Sequence, residues 1–255
     1  MGPVVWVGGA PAAGKSTVAR ALARRYGLRL YAADTRTWVH RDRAVARGIP
    51  AARAFETLPP RERWQRPTAE LVAMSLHRER GPMVLDDLAA LPDRPLVVAE
   101  GTTLPASAAD PTRSIWLLPT PEFQRGQLEA RDTRPGPVRL YTALREVIAA
   151  EAAEHGLPTL TVDGSVGAAE TVWRVEALLA GPLRAGPGGA DRPALLQEQN
   201  AAAIEQVRGY HARPWAAGDP DAVELEFVCE CGDAGCDRLV RRRIADYRSP
   251  CLAGH

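Results

Sequence analysis

Short apolar segments alternate with longer amphipathic stretches along residues 1–180 of this chain. The apolar segments have the length and the β-branched composition of buried strands. Between them, apolar residues recur every three to four positions, which is typical of helices that pack one face on a sheet. The alternation predicts an α/β fold with a parallel sheet covered on both faces by helices. The five predicted strands are residues 4–7, 28–32, 95–99, 114–118 and 159–162.

The predicted helices differ in how regularly they follow the strands. Three of them, residues 15–25, 138–155 and 168–179, fit the simple alternation. Residues 40–92 interrupt it, because this arginine-rich stretch reads as two or three helices broken at Pro50 and Pro59, followed by one more helix at 83–91. An insertion between the second and third strands lies over the carboxyl edge of the sheet. We therefore expect it to form the pocket for an acceptor substrate.

The C-terminal part of the chain has a different composition. Residues 181–193 are rich in glycine and proline, which predicts a linker. A predicted helix at 194–210, a predicted strand at 223–229 and a cysteine cluster follow. We expect a first domain at 1–180 and a small C-terminal α+β module at 194–255.

Composition and charge narrow the class of protein. The chain has 255 residues, of which 45% are hydrophobic and 25% charged, and its net charge is +1. Such values are ordinary for a globular protein, and they argue against a broad electrostatic grip on nucleic acid or on an anionic membrane. No apolar run is long enough to span a bilayer, and the first residues lack the features of a signal peptide. We expect a cytoplasmic protein.

The strongest chemical signal is a phosphate-binding loop after the first predicted strand. Lys15, the one lysine among 32 basic residues, lies in a complete G-x-x-x-x-G-K-[ST] motif. Its ammonium would neutralise the β- and γ-phosphates of a nucleotide, and the Ser16 hydroxyl would bind Mg²⁺. The alternative is a chance match in a glycine-rich turn. The residues expected to contact the nucleotide are Gly9, Ala12, Ala13, Gly14, Lys15, Ser16 and Thr17.

Acidic side chains end the second and third predicted strands. Asp34 could accept the proton of an acceptor hydroxyl or hold Mg²⁺, and it could also cap the next helix. Glu100 could reach the metal or the substrate, whereas the alternative is an ordinary strand-ending turn. Gly101 would let a ligand approach the backbone.

Arginines follow the fourth predicted strand. Residues 120–137 could form a mobile lid, from which Arg125, Arg131 and Arg134 would spread the charge of a transferring phosphoryl group. The alternative for each of them is a solvated surface group.

Two segments of the insertion place charge beside an aromatic ring, namely residues 40–43 and 61–64. They could hold an anionic or base-containing acceptor, with Arg36, Arg63 and Trp64 as candidate substrate-binding residues. A solvated helix face with one buried tryptophan is the alternative.

The four cysteines lie within the last 27 residues. Cys229, Cys231 and Cys236 fall in eight residues with intervening glycines, which predicts a tetrahedral Zn²⁺ site with either His255 or Cys251 as the fourth ligand. Reduced structural cysteines without metal are the alternative.

These motifs together resemble a known branch of proteins. Residues 1–180 resemble the nucleoside-monophosphate-kinase-like branch of P-loop proteins, which includes adenylate, shikimate and gluconate kinases, the chloramphenicol phosphotransferase type and zeta toxins. The resemblance implies a five-stranded parallel sheet in the order 2-3-1-4-5 and phosphoryl transfer from ATP. Ala32 stands where a shikimate-type Asp-x-Asp has its first acidic residue. The tail resembles a short C-terminal module of actinobacterial proteins that ends in Gly-His, and this resemblance favours His255 as the fourth ligand.

Two functional hypotheses follow. The first is an ATP-dependent phosphotransferase that acts on a small-molecule or nucleotide-like acceptor, with Mg²⁺ at the nucleotide and a structural Zn²⁺ in the C-terminal module. The second is a nucleotide-dependent regulatory ATPase or GTPase switch, whose zinc module binds protein or nucleic acid.

Overall fold

A parallel sheet of five strands forms the centre of the larger part of the molecule. The computed structural model describes residues 3–186 and 191–249. The strand order is β2-β3-β1-β4-β5, which confirms the predicted topology. Pairing is parallel throughout this sheet. The strands are β1 (Val4–Gly9), β2 (Arg29–Ala32), β3 (Val97–Gly101), β4 (Ser114–Pro119) and β5 (Thr159–Val162).

Side chains of the central strand supply both faces of the sheet with core residues. Because successive residues of a strand point to opposite faces, Val5 and Val7 join one hydrophobic cluster, whereas Val4 and Trp6 join another. All six residues of β1 are buried. The sheet is therefore covered on both faces, as a parallel sheet requires.

Helices cover the two faces in the order that the alternation predicts. The helices of residues 3–186 that lie outside the insertion are α1 (Lys15–Tyr26), α7 (Pro121–Ala130), α8 (Pro135–Glu154), α9 (Ala168–Leu178) and α10 (Ala180–Ala185). Helices α1 and α9 pack together over one face, and α8 packs on β1 and β4 from the other. None of the helices in the described ranges is long and apolar enough to cross a membrane.

The insertion contains more helices than the sequence indicates. It forms α2 (Thr37–Ala46), α3 (Pro50–Thr57), α4 (Pro60–Gln65), α5 (Thr68–Ser75) and α6 (Arg80–Ala89). Pro50 and Pro60 each occupy the first turn of a helix, where the missing N–H costs no hydrogen bond. The prolines mark the starts of α3 and α4, and the stretch forms five short helices in all, so the expectation of two or three helices plus one is wrong.

The predicted linker is partly helical. Helix α10 runs over its first residues, and Leu183 is 2% exposed in the core cluster beneath α1 and α9. A Cβ on Gly186 would lie 2.6 Å from the Leu96 side chain, so the backbone passes directly over the core there. The chain thus stays packed on the sheet as far as residue 186.

The C-terminal part consists of one long helix and a hairpin. Helix α11 (Arg192–His211) packs on strand β6 (Glu224–Val228), which pairs in antiparallel fashion with β7 (Leu239–Arg243). Strand β6 matches a predicted strand, whereas β7 lies in an arginine-rich stretch that the sequence did not indicate as a strand. Their small core contains Phe227, which stacks on Tyr247 at a ring distance of 4.6 Å.

Helix α11 also packs against the insertion. A Cβ on Gly209 would lie 2.8 Å from the Cβ of Trp38, so the two helices approach closely at this glycine. Arg213, just beyond α11, donates to Asp42 of α2 at 2.5 and 3.0 Å. The C-terminal part is therefore held against the region that the sequence assigns to the acceptor.

Candidate active site

The loop between β1 and α1 has the backbone of an anion-binding turn. Gly9 adopts a φ of 129°, and a Cβ there would lie 2.1 Å from the Leu117 carbonyl oxygen. Ala12 and Gly14 also have positive φ angles, of 65° and 82°. A left-handed alanine is strained, and such strain is concentrated at functional sites. Helix α1 begins directly after Gly14, so its positive dipole end points at this loop.

Lys15 is held inside the loop that it belongs to. Its side chain is buried, and Nζ donates a hydrogen bond of 2.7 Å to the Ala10 carbonyl oxygen. Burial lowers the pKa of Lys15, whereas the carboxylates of Asp34 and Glu100 raise it. The ammonium is thus placed where negatively charged phosphates would stabilise it further.

Ser16 and Glu100 bring together two oxygen atoms that could hold a Mg²⁺ ion. The Ser16 hydroxyl donates to Glu100 Oε1 at 3.0 Å, and Glu100 Oε2 is buried without a hydrogen-bond partner among the described residues. Burial, with a smaller contribution from the Asp34 carboxylate, raises the pKa of Glu100 to about 7. An orphaned buried carboxylate oxygen beside a hydroxyl fits a hard cation and its bound water.

Asp34 lies at the mouth of the loop rather than at a helix cap. It belongs to a 3₁₀ turn, Ala33–Arg36, that directly follows β2, and α2 begins without a side-chain cap. The capping alternative is therefore wrong. Asp34 instead lines a cavity of about 680 Å³ together with Lys15 and Ser16.

Gly101 has a packing role in the structure. Its φ is 152°, and a Cβ would lie 2.7 Å from the Cβ of Ala33. Thr102 and Thr103, which follow it, line the cavity, whereas Gly101 is not among the lining residues.

The cavity extends from the phosphate loop into the insertion, where two buried arginines line it. Arg63 and Arg41 are 2% and 5% exposed, and their guanidinium carbons lie 3.7 and 3.4 Å from the centre of the Phe55 ring. Arg63 donates to the Leu58 carbonyl oxygen at 3.0 Å, and Arg41 donates to that of Met74 at 2.6 Å. The alternative interpretation of the sequence placed both arginines on a solvated helix face. Their burial contradicts that alternative.

Several N–H groups of these two arginines have no acceptor. Nε and Nη1 of Arg41 and Nε of Arg63 are buried without a hydrogen-bond partner in the ranges that the structure describes. Burial lowers the pKa of Arg41 to about 9, and it lowers the pKa of Arg63 as well, while the nearby Glu56 carboxylate opposes both shifts. The inner end of the cavity is therefore positively charged and short of hydrogen-bond acceptors.

Arg36 and His40 belong to a separate ion cluster around Asp87. The Asp87 carboxylate accepts hydrogen bonds from Arg36 at 3.0 Å and Arg43 at 2.8 Å, and it lies 2.9 Å from His40 Nε2. The Tyr31 hydroxyl donates to the same carboxylate at 3.0 Å. Arg36, a predicted substrate-binding residue, therefore lies in a network that ties α2 to α6 and does not line the cavity. Trp64, the neighbour of Arg63, does line it.

The predicted lid residues divide into one that lines the cavity and two that do not. Arg131, at the end of α7, is a lining residue, whereas Arg125 and Arg134 are exposed and lie outside the lining. Helix α7 is anchored on the phosphate loop, because the buried Gln124 amide donates to the Pro11 carbonyl oxygen at 3.1 Å.

Some lining residues had no signal in the sequence. Tyr141 of α8 and Gln206 of α11 both line the cavity, although they follow the phosphate loop by more than a hundred residues. The burial of Arg41 could have been inferred from one feature of the sequence. It lies three positions after Trp38 and so shares a helix face with that aromatic residue.

The cysteine cluster lies near the C-terminal end of α1. The sulfur atoms of Cys229, Cys231 and Cys236 all lie within 4.8 Å of one another, which fits a shared metal ion. Arg24, near the end of α1, donates to the Cys229 carbonyl oxygen at 2.5 Å. The candidate fourth ligands, Cys251 and His255, lie outside the described residues.

Among known proteins, the chain shows a likeness to solved structures alone. No family model matches the chain, and no curated protein matches it. Among solved structures, the chain is similar to a shikimate kinase from Acinetobacter baumannii in complex with shikimate, at 21% identity and a TM-score of 0.43, over 71% of this chain and 95% of that one. It is also similar to a shikimate kinase from Aquifex aeolicus, at 17% identity and a TM-score of 0.35, over 72% of this chain and 99% of that one.

The sheet and the loop after its central strand are sufficient to assign the class of fold. A five-stranded parallel sheet in the order β2-β3-β1-β4-β5, with helices on both faces and a phosphate loop between β1 and α1, defines a P-loop fold.

Proposed function

We propose that this chain is an ATP-dependent phosphotransferase whose acceptor is a small anionic molecule with a hydroxyl group. The observation that carries the proposal is the continuity of the cavity. Lys15 and Ser16 line one end, Arg41 and Arg63 line the other, and Asp34 lies on the lining of the same cavity. A triphosphate and an acceptor can thus occupy one continuous cavity.

The residues of the phosphate loop would bind and orient the nucleotide. The loop amides and the Lys15 ammonium would hold the β- and γ-phosphates, and Gln124 would keep α7 seated on the loop. Ser16 and Glu100 would hold Mg²⁺, which supplies charge neutralisation at the phosphate oxygens when bound.

Asp34 would act on the acceptor side. Its carboxylate would orient the acceptor hydroxyl and accept its proton as the new oxygen–phosphorus bond forms and the bond to ADP breaks. Arg131, which lines the same cavity, would neutralise charge on the transferred group. Roles for Arg125 and Arg134 stay predictions, which would require α7 and the following turn to close over the cavity.

The anionic character of the acceptor follows from the inner end of the cavity. Unpaired N–H groups on two buried guanidiniums are costly, and a carboxylate or phosphate group would satisfy several of them at once. Arginine presents these groups in a planar fork that matches such anions.

For the C-terminal module, we propose a structural zinc ion. Cys229, Cys231 and Cys236 would supply three thiolates, and His255 would supply the fourth ligand, with Cys251 as the alternative. The hairpin has a small core, so a metal ion would contribute much of its stability. The division into a catalytic domain at 1–180 and a module at 194–255 stays a prediction, as does a cytoplasmic location.

The test is transfer of the γ-phosphate of labelled ATP to a panel of acceptors. The panel contains hydroxylated carboxylates, shikimate among them, sugar phosphates and nucleoside monophosphates. At least one member should be phosphorylated, and Asp34→Asn should lower kcat by about 10²- to 10⁴-fold at unchanged ATP affinity. The exposed Asp93, as Asp93→Asn, is the matched control and should behave as wild type. Transfer that is equal in Asp34→Asn and wild type would remove Asp34 from the reaction.

A second candidate function is a nucleotide-dependent switch. The observation that favours it is the bond from Arg24 to the Cys229 carbonyl oxygen, because it joins the far end of the phosphate-loop helix to the cysteine cluster. A switch would hydrolyse ATP or GTP at the same rate with and without the panel. It would also bind a macromolecular partner in a nucleotide-dependent way through residues 194–255.

A further inference from the structure

One face of α11 is turned toward the inner end of the cavity, where Arg41 and Arg63 lie. Gln206, Gly209 and Tyr210 are spaced i, i+3 and i+4, so they share that face. Gly209 lies against the Cβ of Trp38, and the Tyr210 ring lies 5.6 Å from the Trp38 ring. Trp38 and Gln206 both line the cavity. The C-terminal helix therefore supplies part of the wall of a pocket that otherwise belongs to residues 3–186.

Gln206 brings an unused polar group to this wall. Its Oε1 atom is buried and has no hydrogen-bond partner among residues 3–186 and 191–249. A buried amide oxygen without a donor is costly, and such groups in an otherwise well-formed structure point to a partner that binds there. A partner that matches this oxygen carries a donor, such as a hydroxyl or an amine.

The segment that carries Gln206 is fixed in place by ionic and aromatic contacts. Arg213 donates to Asp42 and lies 3.7 Å from the Glu56 carboxylate. The Trp215 indole donates to Glu56 at 3.3 Å, and the Arg63 guanidinium lies 4.4 Å from the Trp215 ring centre. The same segment thus fixes the position of Gln206 and packs against Arg63, which also lines the cavity. This arrangement provides the rigid support that a specificity-determining side chain needs.

We propose that Gln206 is a specificity-determining residue for the acceptor. Its amide oxygen accepts a hydrogen bond from a hydroxyl or amine of the acceptor, other than the hydroxyl that is phosphorylated, while Arg41 and Arg63 hold the anionic group. This assignment rests on the proposed phosphotransferase function, because it names a feature of the molecule that the same cavity accepts.

The experiment compares matched pairs of acceptors on the full chain. Each hydroxylated carboxylate or phosphate monoester of the panel is tested beside the analogue that lacks one non-reacting hydroxyl. Transfer is measured as kcat/KM, and binding is measured separately as the thermal stabilisation that each compound produces with ADP and Mg²⁺ present. The variants are Gln206→Leu, the shape-conserving Gln206→Glu and Gln199→Leu. Gln199 lies two turns earlier on the same helix face, outside the cavity lining.

Wild type should prefer one hydroxylated compound over its analogue by about tenfold to a hundredfold, since a site built to hydrogen-bond a hydroxyl rejects the analogue without it. Gln206→Leu should reduce that ratio to about one while transfer to the analogue is retained. Gln206→Glu keeps an acceptor oxygen and should retain the preference, and Gln199→Leu should equal wild type. A ratio that Gln206→Leu leaves unchanged would overturn the assignment.

The two proposals fail in different ways. Binding with a Gln206-dependent preference but no transfer to any compound would refute the phosphotransferase function and leave the Gln206 assignment standing. Transfer without a Gln206-dependent preference would do the reverse. A wild-type protein that neither binds nor phosphorylates any compound of the panel would overturn both.

Discussion

Replacement of Arg41 by methionine should separate stability from function. The side chain is 5% exposed, its guanidinium lies over Phe55, and two of its nitrogens have no acceptor within the described part of the chain. Methionine keeps a long apolar stem in the same space but removes the charge. If the cavity binds an anion, Arg41 is placed there at a cost to the unliganded fold.

The magnitude follows from the contacts. Arg41→Met removes one hydrogen bond, to the Met74 carbonyl oxygen, which is worth about 1 kcal/mol. The substitution removes a cation–π contact with Phe55 of about 0.5–2 kcal/mol and a weaker one with Trp38, whose ring centre is 6.0 Å away. It also removes a buried charge whose desolvation costs several kcal/mol. Because burial lowers the pKa of Arg41 to about 9, the charge destabilises the folded state at all pH values below that. We expect a free energy of unfolding that is unchanged or higher by up to about 2 kcal/mol.

The assay combines urea unfolding with anion-dependent stabilisation. Inorganic sulfate or phosphate should stabilise wild type more than Arg41→Met, and phosphoryl transfer to the best acceptor should fall by about 10²-fold in the variant. The exposed Arg61, as Arg61→Met, is the control and should retain both properties. An Arg41→Met protein that is destabilised by more than about 2 kcal/mol but transfers phosphate as wild type does would refute this reasoning.

Two further predictions concern stability and metal content. Although burial raises the pKa of Asp87, hydrogen bonds from His40 and Arg36 outweigh it and hold that pKa well below its usual range. Asp87→Asn should therefore lower the free energy of unfolding by about 2–3 kcal/mol at pH 7, and the deficit should shrink below about pH 4, where the unfolded wild-type chain takes up a proton that the folded state does not. A deficit that urea unfolding finds equal at pH 7 and pH 3 would contradict this account. Metal analysis should return about one zinc per chain, reduced in Cys231→Ser, and a metal-free wild type would remove the zinc proposal.

Local patterns in the sequence predicted much of the fold. The phosphate loop is a contiguous motif, and β1, β3 and β4 are contiguous, largely apolar runs, so their prediction does not depend on distant contacts. The strand order came from the resemblance that these motifs carry, and the sheet confirms it. Strand β7 was missed because its side chains are mostly arginine, and its pairing depends on partners in β6 such as Glu224, which lies 2.8 Å from Arg241.

The inner end of the cavity, which Arg41 and Arg63 line, could not be predicted in the same way. Arginine is usually a surface residue, so the sequence does not indicate that Arg41 and Arg63 are buried. Phe55, from another helix, packs on both of them, and Trp215 packs on Arg63. Gly209 and Tyr210 of α11 contact Trp38 across about 170 residues of sequence, which no local pattern encodes, and Gln206 reaches the cavity lining on the same helix face. The packing within the predicted linker has the same origin, because Leu183 and Gly186 contact a core that is formed by residues far earlier in the chain.

The most direct test of the whole account is calorimetric titration of the protein with ATP in the presence of Mg²⁺. We predict that wild type binds one nucleotide per chain and that Lys15→Met, which removes the ammonium and keeps the length of the side chain, weakens binding by at least about tenfold. The account is contradicted if wild type takes up neither ATP nor GTP, or if Lys15→Met binds as tightly as wild type.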